Sequence, residues 1–177
     1  MTHNIFSDSC AAALVCVACV TDLRVRRIPN WLTLSGVCAG LLLHTATAGY
    51  AGAVFSIEGL LLGFGAYFAL YCLRAMGAGD VKLMAAVGAL VGPGIWIWVF
   101  IATSLAAGVL AVGLMVVKRR VRETLWNTFF IVNELAQFRA PWKRRADLDV
   151  KDSRALNMPH GVAIAAGTAA VLLLARI

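Results

Sequence analysis

Two aspartates stand at the ends of strongly apolar stretches of this 177-residue sequence. Asp22 closes the first stretch, and Asp80 follows Gly77 and Gly79 at the start of another. Ionisable residues are costly near hydrocarbon and usually mark a site or a proton path. Two carboxylates held close together resist double ionisation, so one takes a proton from water while the other hydrogen-bonds a carbonyl. The pair therefore favours an intramembrane aspartic peptidase.

Each aspartate also has a purely structural interpretation. An Asp just before a helix is a preferred N-cap residue, and the two glycines before Asp80 would then supply only a turn. Asp22 is explained equally by pairing with Arg24, Arg26 or Arg27 at little net gain in stability. The position of both carboxylates relative to a membrane distinguishes chemistry from these alternatives.

The composition is typical of a membrane protein. Hydrophobic residues make up 61% of the chain and charged residues 14%, with a mean hydropathy of +0.82. Six apolar segments approach the ~20 residues that cross a bilayer as a helix: residues 5–21, 31–48, 53–73, 81–91, 95–117 and 161–175. Because lipid tolerates no unpaired backbone groups, the sequence predicts an all-α polytopic membrane bundle of about six transmembrane helices. We expect one domain over residues 1–177.

Of the 16 basic residues in this chain of net charge +7, all but Arg176, which falls on the outer side, belong to alternate loops. They follow segment one, separate segments three and four at Arg74 and Lys82, and recur ten times between residues 118 and 154. The other two loops carry no Lys or Arg. This positive-inside pattern places the basic loops, and with them Asp22 and Asp80, at the cytoplasmic face. It indicates a lipid bilayer as the partner and argues against nucleic acid.

The other polar residues of the apolar segments are interpreted by their distance from the cytoplasmic face of the membrane. Glu58 lies 16 residues before Arg74, about 24 Å along a helix, so we expect an outer-interface or interhelical contact, as for His44. His160 opens the last segment on the aspartates' side and is a candidate lining residue, with a plain interfacial histidine as the alternative. Glycines in segments three and five let helices approach closely; they are Gly59, Gly63, Gly65, Gly108 and Gly113.

The basic stretch over residues 118–158 is predicted to be a cytoplasmic loop that contains an interfacial helix. Its aromatic residues, including Trp126, Phe129 and Phe130, recur at roughly helical spacing between basic clusters. An amphipathic helix of this kind lies in the headgroup region. The acidic residues that follow lack the His, Glu or glycine framework of a metal loop, so we expect no metal.

Two motifs resemble those of the type IV prepilin peptidases. The first is Asp22-x5-Ile28-Pro29-Asn30-x-Leu32, and the second is Gly77-x-Gly79-Asp80-x-Lys82-Leu83. The resemblance continues to the closing run from Pro159 to Gly167. It implies that Asp22 and Asp80 are the catalytic pair and that Gly77 and Gly79 form the active-site turn. Candidates for substrate binding or for tuning the pair are Lys82, Asn30 and His160.

The resemblance also implies what the chain acts on. The expected activity is removal of the short cytoplasmic leader of prepilin or pseudopilin precursors, in a bacterial inner membrane and without a cofactor. The sequence resembles the short peptidases of tight-adherence (Flp-type) pilus systems, so we expect no methyltransferase activity. The alternatives are a non-enzymatic channel or proton-coupled transporter, and a scaffold for a pilus machine. The residues do not specify an oligomeric state.

Overall fold

The computed structural model of the protein describes residues 5–73, 76–117, 126 and 160–175. Within these residues there are four helices and no β-strand. The helices are α1 (Ile5–Val25), α2 (Asn30–Cys72), α3 (Ala78–Val117) and α4 (His160–Leu174). The all-α prediction is therefore confirmed for the described part of the chain. The predicted cytoplasmic loop, apart from Trp126, lies outside it.

Three of these helices, α1, α2 and α3, are long and apolar enough to cross a membrane, whereas α4 is a shorter apolar helix of 15 residues. The prediction of six spans stays a prediction. Its segments two and three fall within α2, and its segments four and five fall within α3. Two of these helices are interrupted at one glycine with a positive φ, α2 at Gly49 (59°) and α3 at Gly92 (76°), a conformation that side chains rarely adopt.

The chain divides into two compact units. The first comprises residues 1–107 and 159–177, and the second comprises residues 108–158. Of the second unit, the structure describes the last ten residues of α3 and Trp126. All of the contacts discussed below lie within the first unit.

The first part of α3 is the core of the first unit. Every residue from Leu83 to Gly92 is buried, and Leu83, Met84 and Val87 are fully inaccessible. A helix that is apolar on all sides is expected to be surrounded by protein or lipid. Here both halves of α2 and one side of α1 pack against it. Asp80 therefore lies in the first turn of the most buried helix of the unit.

Glycines of α2 bring its backbone against α3. A Cβ at Gly40 would lie 2.6 Å from the Ala89 carbonyl oxygen, and one at Gly59 or Gly63 would overlap the backbone of α3. In a membrane, association of helices depends on such close packing and on interhelical hydrogen bonds. The close-approach prediction is therefore confirmed for Gly59 and Gly63. It is wrong for Gly65, and the same prediction for Gly108 and Gly113 of segment five is also wrong, because none of the three has a described atom within 4 Å of its Cβ position.

The interruption of α3 is stabilised by side chains of α2. Pro93 lacks the N–H that would bond the carbonyl of Ala89, four residues earlier. The Ser56 hydroxyl donates to that carbonyl at 2.9 Å, and His44 Nε2 lies 2.9 Å from the carbonyl oxygen of Leu90. Of the two roles predicted for His44, the structure thus gives the interhelical one. Glu58 is exposed.

Candidate active site

Asp22 is held in the last turn of α1. The helix ends at Val25, and Arg26 then adopts a left-handed conformation with a φ of 53°. The Arg26 N–H donates to the carbonyl of Asp22 at 2.9 Å, which is the bond of an αL helix terminus. Since this position is usually Gly, the chain accepts strain of about 1–2 kcal/mol there. The consequence is a sharp end to α1 directly behind Asp22.

Asp80 lies in the first turn of α3, not before it. The helix begins at Ala78, and the backbone N–H groups of Asp80 and Val81 both donate to the Gly77 carbonyl. Asp80 therefore does not occupy the N-cap position. Its carboxylate lies against the Gly77 backbone, and the residue is only 8% exposed.

The two aspartates line one open cleft of about 480 Å³. Its walls come from three parts of the chain: Asp22, Arg26 and Arg27; the start of α2 with Ile28, Pro29 and Asn30; and residues 77–80 with Lys82. Asp22 and His160 are both close enough to Asp80 to interact with it electrostatically. The structure thus brings together both predicted catalytic residues, the predicted turn and all three candidate tuning residues.

The N-terminus of α4 binds the Asp22 carboxylate. The Gly161 N–H donates to Asp22 Oδ2 at 2.9 Å, although the two residues are 139 positions apart. The first N–H groups of a helix have no partner within the helix, and they favour anions through the helix dipole. A Cβ at Gly161 would lie 2.8 Å from Oδ2 and 2.9 Å from the Asp22 Cβ. Only glycine leaves room for the carboxylate in this place.

Lys82 and Asn30 form a polar bridge at one side of the cleft. The Lys82 ammonium donates to Asn30 Oδ1 at 3.0 Å, and both side chains are exposed. The bond joins the first residue of α2 to the first turn of α3. It fixes a cation beside the carboxylates without pairing it to either of them.

The model of the type IV leader peptidase family matches residues 10–112, more than half of the chain. The chain belongs to the type IV leader peptidase family. Both aspartates lie within the matched residues, whereas α4 lies beyond them. No curated protein and no solved structure gave a match. The resemblance seen in the sequence is thereby confirmed at the level of the family, and the protein is a leader-peptidase-like protease of the membrane.

Gly77 and Gly79, the two glycines of the turn, do not have positive φ angles. Their backbone conformation is therefore open to other residues. A Cβ at Gly79 would make ordinary contact with Ile28 at 3.5 Å, and one at Gly77 would lie 3.5 Å from Asp80 Oδ2. Glycine at these two positions thus leaves space in the cleft beside Asp80 that a side chain would occupy. The fold itself does not require glycine there.

The sequence did not predict that Gly161, Arg26 and Arg27 are parts of the site. Gly161 carried a weak signal, since it follows His160 in the closing run. Its hydrogen bond to Asp22 depends on the packing of α4 against α1, which the sequence does not show. Within the described residues, no three His, Cys, Asp or Glu side chains lie together as a metal site would need.

Proposed function

We propose that this family member is an aspartic endopeptidase in which Asp22 and Asp80 form the catalytic pair. The observation that carries the proposal is that both carboxylates line one open cleft and interact electrostatically. They come from helices separated by the whole of α2. An N-cap role would explain one aspartate, but it would not explain a second carboxylate in the same cleft.

The proposed reaction is direct attack of water on the scissile peptide carbonyl. One ionised carboxylate takes a proton from the water, while the other carboxyl, protonated, donates a hydrogen bond to the carbonyl oxygen. The tetrahedral intermediate collapses as the C–N bond breaks, and the leaving nitrogen receives a proton from the carboxyl that had gained one. The products are two peptides with a new carboxylate and a new amine. No covalent intermediate with the enzyme is needed.

The residues around the pair have supporting roles in this proposal. The Gly161 N–H fixes the rotamer of the Asp22 carboxylate, which orients it toward the cleft. Gly77 and Gly79 let an extended peptide backbone approach Asp80, because they place no side chain on that wall. Positioning of this kind accounts for a large share of catalysis in enzymes generally. His160 and Lys82 add charge or hydrogen bonds beside the pair.

The proposed substrate is a prepilin or pseudopilin precursor, which the family's activity on leaders supports. Such a precursor has a short polar leader followed by an apolar helix, and the bond to be cut lies between them. The positive-inside pattern supports cleavage at the cytoplasmic face of a bacterial inner membrane. The Flp-type pilus systems are the proposed setting, on the resemblance of the motifs.

Cleavage of a precursor by the purified protein in bilayers tests the proposal. We expect the precursor to lose its leader, with mass spectrometry locating one cut between the leader and the apolar helix. A control precursor with the residues at that junction replaced should stay intact. Failure of the inserted protein to cut any of a panel of prepilin and pseudopilin precursors would contradict the proposal and favour a scaffold or a transporter.

A further inference from the structure

A second concave surface, here called the apolar groove, opens between α2 and α3. It has a volume of about 420 Å³, and α2 supplies its two walls. Leu34 and Val37 form one wall, Leu60 and Phe64 form the other, and Ala85 of α3 lies at its base. The two walls come from either side of the Gly49 interruption, so the reversal of the chain there creates the groove.

The polar end of the apolar groove belongs to the catalytic cleft. Asn30 and Lys82, which are hydrogen-bonded to each other, line both cavities. From Asn30 the groove follows one face of α2 as far as Val37, a distance of about 10 Å or two helical turns. The two cavities therefore adjoin each other at these two residues, with the carboxylates on one side of them and an apolar surface on the other.

We propose that the apolar groove binds the first two turns of the precursor's apolar helix, directly beyond the scissile bond. This inference rests on the proposed function. A peptide whose scissile bond lies between Asp22 and Asp80 must leave the cleft, and the groove is a concave surface that adjoins the cleft at Asn30 and Lys82. The change along the groove from polar to apolar matches a substrate whose polar leader precedes an apolar helix.

The dimensions of the apolar groove fit one face of a helix and not a whole helix. Its volume is at the lower end of ordinary ligand pockets. Leu34 and Phe64 are 63% and 42% exposed, so the groove is open on its outer side, and a precursor helix can enter laterally. Helices in membranes associate through such packing of side chains.

Filling the apolar groove tests the inference. Leu34→Trp places a larger side chain in it, and Leu42→Trp is the matched control, because Leu42 lies on the same helix, is 70% exposed and does not line the groove. Two substrates are compared: the full precursor in bilayers and a short peptide that spans the scissile bond without the apolar helix. We expect Leu34→Trp to lower kcat/KM for the full precursor about tenfold, mainly through KM, and to leave the short peptide unaffected. Leu42→Trp should change neither.

Photocross-linking gives a readout that does not depend on cleavage. A benzophenone amino acid at position 34 should form an adduct with the first two turns of the precursor's apolar helix, and one at position 42 should not. Adducts with lipid alone at position 34, or equal loss of both substrates in Leu34→Trp, would overturn the inference. Parental cleavage of the full precursor by Leu34→Trp would do the same. A parent protein that cuts neither substrate would instead contradict the proposed function, while a specific adduct would still support the groove.

Discussion

Replacing Gly161 with Ala is expected to impair cleavage without altering any titratable group. The added Cβ would lie 2.8 Å from Asp22 Oδ2 and 2.9 Å from the Asp22 Cβ, distances that real Cβ atoms essentially never show. Since α4 packs against α1, the helix cannot retreat without loss of that contact. Because rotation of the side chain cannot move the Asp22 Cβ, we expect the start of α4 to shift and the hydrogen bond from the Gly161 N–H to Asp22 Oδ2 to break.

The size of the effect follows from the bond that is lost. A hydrogen bond to a charged group contributes about 1.5–3 kcal/mol. If that energy is what holds Asp22 in its productive rotamer, kcat should fall about 10- to 100-fold, because each 1.36 kcal/mol is a factor of ten in rate. The stability of the fold should fall by less than this, because the shift is confined to the start of α4 and the rest of its packing on α1 is kept.

The assay compares Gly161→Ala with Gly65→Ala in matched amounts of inserted protein. Gly65 is the control, because no described atom lies within 4 Å of a Cβ built there. Kinetics on a precursor should show a fall in kcat for Gly161→Ala only, with thermal unfolding of both variants close to that of the parent. Parental kcat in Gly161→Ala would refute the argument that the N-terminus of α4 positions Asp22.

Two further predictions concern the turn and the core. Gly79→Ala should leave thermal stability close to that of the parent, because the three described atoms nearest to its Cβ are Ile28 carbons at ordinary contact distances of 3.5–3.7 Å. It should lower kcat/KM, because the Cβ narrows the path of the substrate; unchanged kcat/KM would show that the substrate does not pass there. Ser56→Ala should lower the free energy of unfolding in detergent by about 1 kcal/mol, since the Ala89 carbonyl, which has no N–H partner at Pro93, loses its hydrogen-bond donor. Ser35→Ala, which removes only a bond within α2, should have a smaller effect, and equal losses in the two variants would contradict this account of the interruption.

The positions of both aspartates could be predicted from the sequence because helix ends have local causes. The apolar stretch that ends at Asp22 and the glycines before Asp80 are visible without any tertiary contact. The predicted segments also correspond to the helices, except that α2 and α3 each hold two segments separated by a single irregular glycine. An apolar pattern indicates where a helix can lie in lipid, but it does not show how many residues separate two successive helices.

What the sequence could not supply were contacts between distant helices. The bond from Gly161 to Asp22 has no signature in local spacing, because it depends on how α4 packs against α1. The failure at Gly65 has the same origin, since glycine spacing does not reveal which face of a helix meets a neighbour. The apolar groove likewise exists only because the two parts of α2 stand on either side of Ala85.

The most direct test of the central claim is precursor cleavage by Asp22→Asn and Asp80→Asn, each compared with Glu58→Gln. An amide keeps the size of each side chain and one acceptor oxygen, so both variants should insert and accumulate, but an amide cannot exchange a proton with water. We predict that each loses at least about 100-fold in cleavage rate, the lower bound for general acid–base catalysis. Glu58→Gln should retain activity, because Glu58 is exposed and does not line the cleft. Appreciable cleavage by either Asp→Asn variant, at matched abundance, would contradict the two-aspartate mechanism.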